Sequence, residues 1–145
     1  MAARRLLESG VRIRRGRRRD LPAVERVLGR APATGFGRVY RRVLRDLGTD
    51  VYVAEDAGGA IVGLVAVVYA RSLVRGGASA LLDGARAAAR PVLDGLVAFA
   101  EERARRRGCR RLEAFVGDDA ELRAALVGRG WRTGELLATD LAETA

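Results

Sequence analysis

Apolar and polar positions fall into short blocks whose period changes along the chain. Val11 and Ile13 alternate with arginines over Val11 to Arg15, the two-residue period of a half-buried strand. Leu21, Val24 and Leu28 then share one face at helical spacing. Asp20 is placed to cap that helix, and Pro22 fits its first turn. The stretch GRAPATG, Gly29 to Gly35, breaks it. Phe36, Val39, Tyr40, Val43, Leu44 and Leu47 follow at helical spacing, and Gly48 ends this second helix. Val51 to Glu55 reads as a strand, Asp56 to Gly59 as a turn and Ala60 to Ala70 as a second strand, forming an antiparallel hairpin. After the loop RSLVRGG a short strand is expected around Ser79 to Asp83. Pro91 to Arg107 is the clearest helix, with Leu93, Leu96, Val97, Ala100 and Ala104 as its buried stripe and Gly108 as its C-cap. Arg111 to Val116 reads as a strand. Asp118 and Glu121 have the spacing of an acidic capping box, ahead of a helix that ends near Gly128. Trp131 and Leu136 to Leu141 supply one or two last strands.

The order β-α-α-β-β-β-α-β-α-β-β implies an α/β fold with a mixed sheet of six to seven strands and helices on both faces. A chain of 145 residues suits one core. Residues 1–10 read as a loose tail and residues 11–142 as a single domain. The longest apolar run, Ala60 to Ala70, is too short for a membrane span and is interrupted by Gly63. The N-terminal arginines have no apolar stretch behind them, so a cytoplasmic, soluble protein without a signal peptide is expected.

One cysteine and no histidine exclude an intrachain disulfide, zinc sites built on those ligands and any histidine base. No metal is expected. The net charge is +9, and all 27 basic residues are arginine, which favours anionic partners such as phosphorylated cofactors, nucleic acid or acidic proteins. RIRRGRRRD and RARRRGCRR have the charge that nucleic acid binding needs. Aromatic residues are few and no binding motif accompanies them, so solvated strand and helix ends are the favoured reading of both runs.

Three stretches resemble the GNAT family of acetyl-CoA-dependent N-acetyltransferases in order and spacing. VYVAEDAGGAIVGLVAVV, Val51 to Val68, is similar to the hairpin of the family's strands 2 and 3. LVAFAEERARRRGCRRLEAFV, Leu96 to Val116, looks like its cofactor-side helix running into strand 5. DDAELRAALVGRGW, Asp118 to Trp131, parallels its Asn-x-x-Ala-x-x-x-Tyr-x-x-x-Gly-Phe segment. The resemblance runs from Val11 to Leu141. It implies acetyl transfer from acetyl-CoA to a small-molecule or peptide amine, by direct attack, in a monomer or homodimer. It also implies that strands 4 and 5 part around the pantetheine arm and that the pyrophosphate sits at the N-terminus of the next helix, where unpaired N–H groups and the helix dipole favour an anion.

Carried onto this chain, the cofactor site falls on DGARAAARPVLDG. Its cofactor-binding positions are Gly84, Ala85, Arg86, Ala87, Ala88, Ala89, Arg90 and Val92, with Asp119 where the family has asparagine. The stretch departs from the family's Arg/Gln-x-x-Gly-x-Gly/Ala loop. Ala88 stands at the first position, Pro91 and Leu93 at the glycines, and Pro91 lacks an N–H. Arg86 and Arg90 either replace the lost donors, since guanidinium forks match phosphate, or are solvated. Asp83 is either the general base that takes a proton from the incoming ammonium or a strand-end carboxylate. Leu126 stands where the family often has a tyrosine acid. Cys109 reads as a buried thiol, Tyr40, Tyr52, Tyr69 and Trp131 as core, and Glu55 and Asp56 as solvated. Two alternatives remain beside the acetyltransferase: a catalytically inactive binding or regulatory protein of the same fold, and an arginine-rich nucleic acid binder.

Overall fold

The computed structural model of the chain describes residues 5–7, 9–29 and 34–141. One six-stranded sheet organises them, its strands lying in chain order from edge to edge. They are β1 (Arg5–Leu6), β2 (Arg12–Arg15), β3 (Thr49–Glu55), β4 (Ile61–Ser72), β5 (Gly77–Ala87) and β6 (Leu112–Ala114). Every neighbouring pair is antiparallel except β5 and β6. Helices α1 (Leu21–Leu28) and α2 (Phe36–Arg45) lie between β2 and β3, α3 (Arg90–Arg106) joins β5 to β6, and α4 (Ala120–Gly128) follows β6. A parallel pair needs a crossover, which α3 supplies.

Alternation along the strands builds a core on each face of the sheet. Tyr52 and Ala54 of β3 and Val65 and Val67 of β4 face α3 and α4, where they meet Val92, Leu96, Val97, Leu122 and Leu126. Val51, Val53 and Leu64 face the other way and pack with Val24 of α1 and Tyr40 of α2. Gly63 lets α3 approach: a Cβ there would lie 2.8 Å from Leu96 Cδ1 and 3.2 Å from Val92 Cγ1.

The α/β class, the mixed sheet and the two helical layers agree with the sequence reading, but several elements differ. Leu136 to Leu141 forms no strand. The short β6 offers little edge to pair with, and Leu137 and Leu141 are exposed. Conversely, Arg5–Leu6 lies within the expected tail yet pairs with β2, and Leu7 packs on the core. Residues 1–4 and 8 of that tail lie outside the described residues, as do residue 142 and residues 30–33 of the expected GRAPATG break. The strand expected to end at Asp83 continues to Ala87, and the one expected over Arg111 to Val116 shrinks to three residues. Helix α2 stops at Arg45 and leaves Leu47 exposed. The cap of α4 is Asp119, which accepts a hydrogen bond from the Leu122 N–H at 3.0 Å, rather than Asp118. Asp20 makes no cap hydrogen bond to α1, because its carboxylate is taken by Arg14 and the Arg17 N–H.

Candidate active-site cleft

Strands β5 and β6 pair only from Ala80–Leu112 to Leu82–Ala114, and then part. At that point β5 carries a bulge: Val67 faces Leu82 and Ala66 faces Gly84, so Asp83 is the extra residue. Asp83 is exposed there. Past the bulge, β5 stays paired to β4 on one side and has no strand on the other among the described residues.

An open cleft of about 710 Å³ lies against this end of β5. Ala85, Arg86, Ala87 and Ala88 form one wall, and Asp118 to Leu122 at the start of α4 form the opposite wall. Arg26 and Val27 of α1, Ile61 and Val62 of β4 and Leu93 of α3 complete the lining. Five of the sequence-predicted residues therefore meet in one place: Ala85, Arg86, Ala87, Ala88 and Asp119. Asp83, Gly84, Ala89, Arg90 and Val92 do not line it. Val92 is buried in the core and Gly84 is half-buried. The α1 and β4 residues were not anticipated. The apolar stripe of α1 showed which side it buries, but no local pattern shows that its last turn meets the start of β4.

Where the sequence resemblance implied a phosphate grip, the backbone N–H groups are largely taken or missing. The Ala88 N–H bonds the Val62 carbonyl at 2.9 Å, Val92 and Leu93 both donate to the Ala89 carbonyl at 3.1 Å, and Pro91 has no N–H. Arg86 donates from Nη1 to the Leu28 carbonyl at the end of α1, and its Nη2 lies 3.8 Å from Asp119 Oδ2. It thus spans the cleft from α1 to α4. Arg90 donates to Asp94 at 2.9 Å and to the Ala124 carbonyl at 3.1 Å. The cleft is lined by three carboxylates, Asp118, Asp119 and Glu121, and two guanidiniums, Arg26 and Arg86. That balance suits a cationic group better than a pyrophosphate. The free edge of β5, by contrast, fits a chain that hydrogen-bonds along a strand.

No tyrosine lines the cleft. Tyr40 donates to the Arg17 carbonyl, and burial pushes its pKa up to about 12. Tyr69 donates to Asp50 at 2.8 Å, and Tyr52 is buried against Phe99. Leu126 is buried in the core, so nothing at that position can donate a proton. Cys109 is half-buried, and burial pushes its thiol pKa up. Trp131 packs against the core and donates its indole N–H to Glu101 at 3.2 Å.

Neither a protein-family model nor a curated protein matches the sequence. Solved structures do match the fold. An aminoglycoside antibiotic 6'-N-acetyltransferase from Acinetobacter baumannii superposes with a TM-score of 0.74 over 94% of this chain and 100% of that chain, at 14% identity. A ribosomal-protein-alanine N-acetyltransferase from Brucella melitensis gives 0.72 over 92% and 99%, at 15% identity. The chain has the GNAT fold. A transcriptional regulator from Bacillus halodurans is similar too, with a TM-score of 0.77 over 92% and 99% at 19% identity. The cleft lies against the part of β5 that follows its last pairing with β6.

Proposed function

We propose that this GNAT-fold protein is an acyl-CoA-dependent N-acetyltransferase acting on a small-molecule or peptide amine. The parting of β5 and β6 after Leu82 and Ala114 carries this reading, because it leaves a strand edge free beside an open cleft. The edge of β5 from Asp83 to Ala87 would hold the pantetheine arm. Acetyl-CoA would supply an acyl carbon activated as a thioester. The acidic wall at Asp118, Asp119 and Glu121 would attract the protonated amine. Asp83, exposed on the bulge beside the cleft rather than in its lining, would receive through water the proton that frees the amine lone pair. Backbone N–H groups of β5 would donate to the acyl oxygen. The bond formed is C–N and the bond broken is C–S. With Leu126 unable to donate, the thiolate takes its proton from the amine through water.

A second reading has its own observation. Arg86 is tied to both the Leu28 carbonyl and Asp119, across the cleft. A cleft bridged by such a guanidinium fits a catalytically inactive binding or regulatory protein. Calorimetric titration with acetyl-CoA at millimolar concentration tests the first reading, which expects a one-site isotherm and acetylation of some member of an amine panel that Asp83→Asn abolishes. Absence of binding would remove it. Binding without transfer to any amine would leave the second. For the nucleic acid reading, no observation in the fold adds to the arginine count, and Arg14 of the first run is buried in ion pairs.

A further inference from the structure

The opposite end of the sheet holds a second charged cluster. Asp50 of β3 has a side chain only 2% exposed. Three guanidiniums surround its carboxylate: Arg15 of β2 at 3.4 Å, Arg103 of α3 at 3.5 Å and Arg107, just past α3, at 3.6 Å. Tyr69 donates to the same carboxylate at 2.8 Å. One negative charge therefore meets three positive ones in a partly buried place. The guanidinium contacts exceed the ~2.7–2.9 Å of a charge-assisted hydrogen bond. Among the described residues, the one side-chain hydrogen bond made by these three arginines runs from Arg107 Nη2 to the Leu47 carbonyl. Arg15 is half-exposed, and Arg103 and Arg107 are partly buried.

Two buried polar atoms in the same cluster have no partner: Tyr52 Oη and Arg103 Nε. Tyr52 is 1% exposed, and the Arg15 and Arg103 guanidiniums lie 5.4 Å and 5.8 Å from its ring centre. Buried donors of this kind are nearly always satisfied in folded proteins. Burial and the charge of Asp50 push the Tyr52 pKa up, so it keeps a proton to donate.

We propose that this cage is a binding site for an oxyanion, the carboxylate or phosphate group of a ligand, held by Arg15, Arg103, Arg107 and the Tyr52 hydroxyl. One oxyanion has enough lone pairs to accept from Tyr52 Oη and Arg103 Nε together, and its charge offsets the local excess. A water would satisfy the two donors and leave the charge excess in place. Arg107 and Tyr69 also line a cavity of about 830 Å³, with Gly48, Arg71, Ser72 and Cys109, which has room for the rest of a larger ligand. The cage is separate from the β5 cleft. Val62 lines the cleft and Tyr69 the cage, and seven residues of β4 at ~3.3 Å each put them about 23 Å apart.

The test is calorimetric titration of the full chain with inorganic phosphate, and separately with acetate, at constant ionic strength. Binding of phosphate alone, acetate alone or both is expected, and it assigns the ligand class. Tyr52→Phe removes only the unpaired hydroxyl and keeps the ring, and Arg103→Gln removes one guanidinium. Each is expected to weaken binding by at least about tenfold. Arg86→Ala, in the remote cleft, is expected to leave it unchanged. Absence of binding by wild type overturns the proposal. So does wild-type affinity in Tyr52→Phe, or, should that variant not fold, in Arg103→Gln. Loss of binding in Arg86→Ala alone would place the anion in the cleft and overturn it as well.

Discussion

Asp20 receives two hydrogen bonds from Arg14, both at 2.9 Å, and one from the Arg17 N–H at 2.7 Å. Arg14 also donates to Glu55 at 2.7 Å. Burial pushes the Asp20 carboxyl up, but these hydrogen bonds and the charge of Arg14 outweigh it and hold the pKa below its ordinary value. A carboxylate depressed in the folded state stabilises the fold above its unfolded pKa, and that contribution is lost as pH falls through the folded value. Asp20→Asn leaves Arg14 without its main partner, and breaking a buried pair costs about 3–5 kcal/mol. Urea denaturation across a pH series should therefore show the variant less stable at neutral pH, with a shallower loss on acidification below about pH 4. Equal acid limbs in the two proteins would contradict this. Six residues separate Arg14 from Asp20, yet no local pattern marks them as a pair. Arg14 sits in a run of arginines that reads as solvated, and its partner Glu55 is far along the chain.

Helix α3 owes its place to β4. Val92 and Leu96 sit over Gly63, so a side chain there would press the helix away from the sheet. Gly63→Val improves strand propensity, yet it should destabilise the fold by about 1–3 kcal/mol through overpacking, read as a lower urea midpoint at unchanged slope. A midpoint equal to wild type would show that α3 shifts freely. The periodicity of α3 was legible in the sequence: Leu93, Leu96, Val97, Ala100 and Ala104 are buried as expected, Val92 and Phe99 are buried beside them without having been anticipated, and Gly108 follows with a φ of 81°. Its junction with β5 was legible only in part. Missing glycines and Pro91 pointed to an altered phosphate end, but where β5 ends depends on its pairing with β4 across the sheet. Leu136 to Leu141 shows the converse. Its pattern is strand-like, but a strand exists only where an edge accepts it.

The two faces of the sheet are unequally covered. The α3 and α4 side holds most of the buried apolar residues, whereas the α1 and α2 side holds Val24, Tyr40, Val51, Val53 and Leu64. Val39 of α2 is exposed, and so is Leu47 just beyond it. Local opening follows such differences in burial. Native-state hydrogen exchange should therefore release amides of α2 before those of α3 and β4. Equal protection in α2 and α3 would show that the molecule opens only as a whole. By itself the sequence determined the four helices, strands β2 to β6 and their order, and so the fold class, because these depend on neighbours within a turn or along one strand; it did not determine where the strands end, the pairing of Arg5–Leu6 or the irregular course of Leu136 to Leu141. Tertiary structure alone decided where β5 and β6 part, that Arg86 spans the resulting cleft to Leu28 and Asp119, and that Asp50 gathers Arg15, Tyr69, Arg103 and Arg107. Each of these joins residues tens of positions apart, and only chain packing brings such side chains within reach of one another.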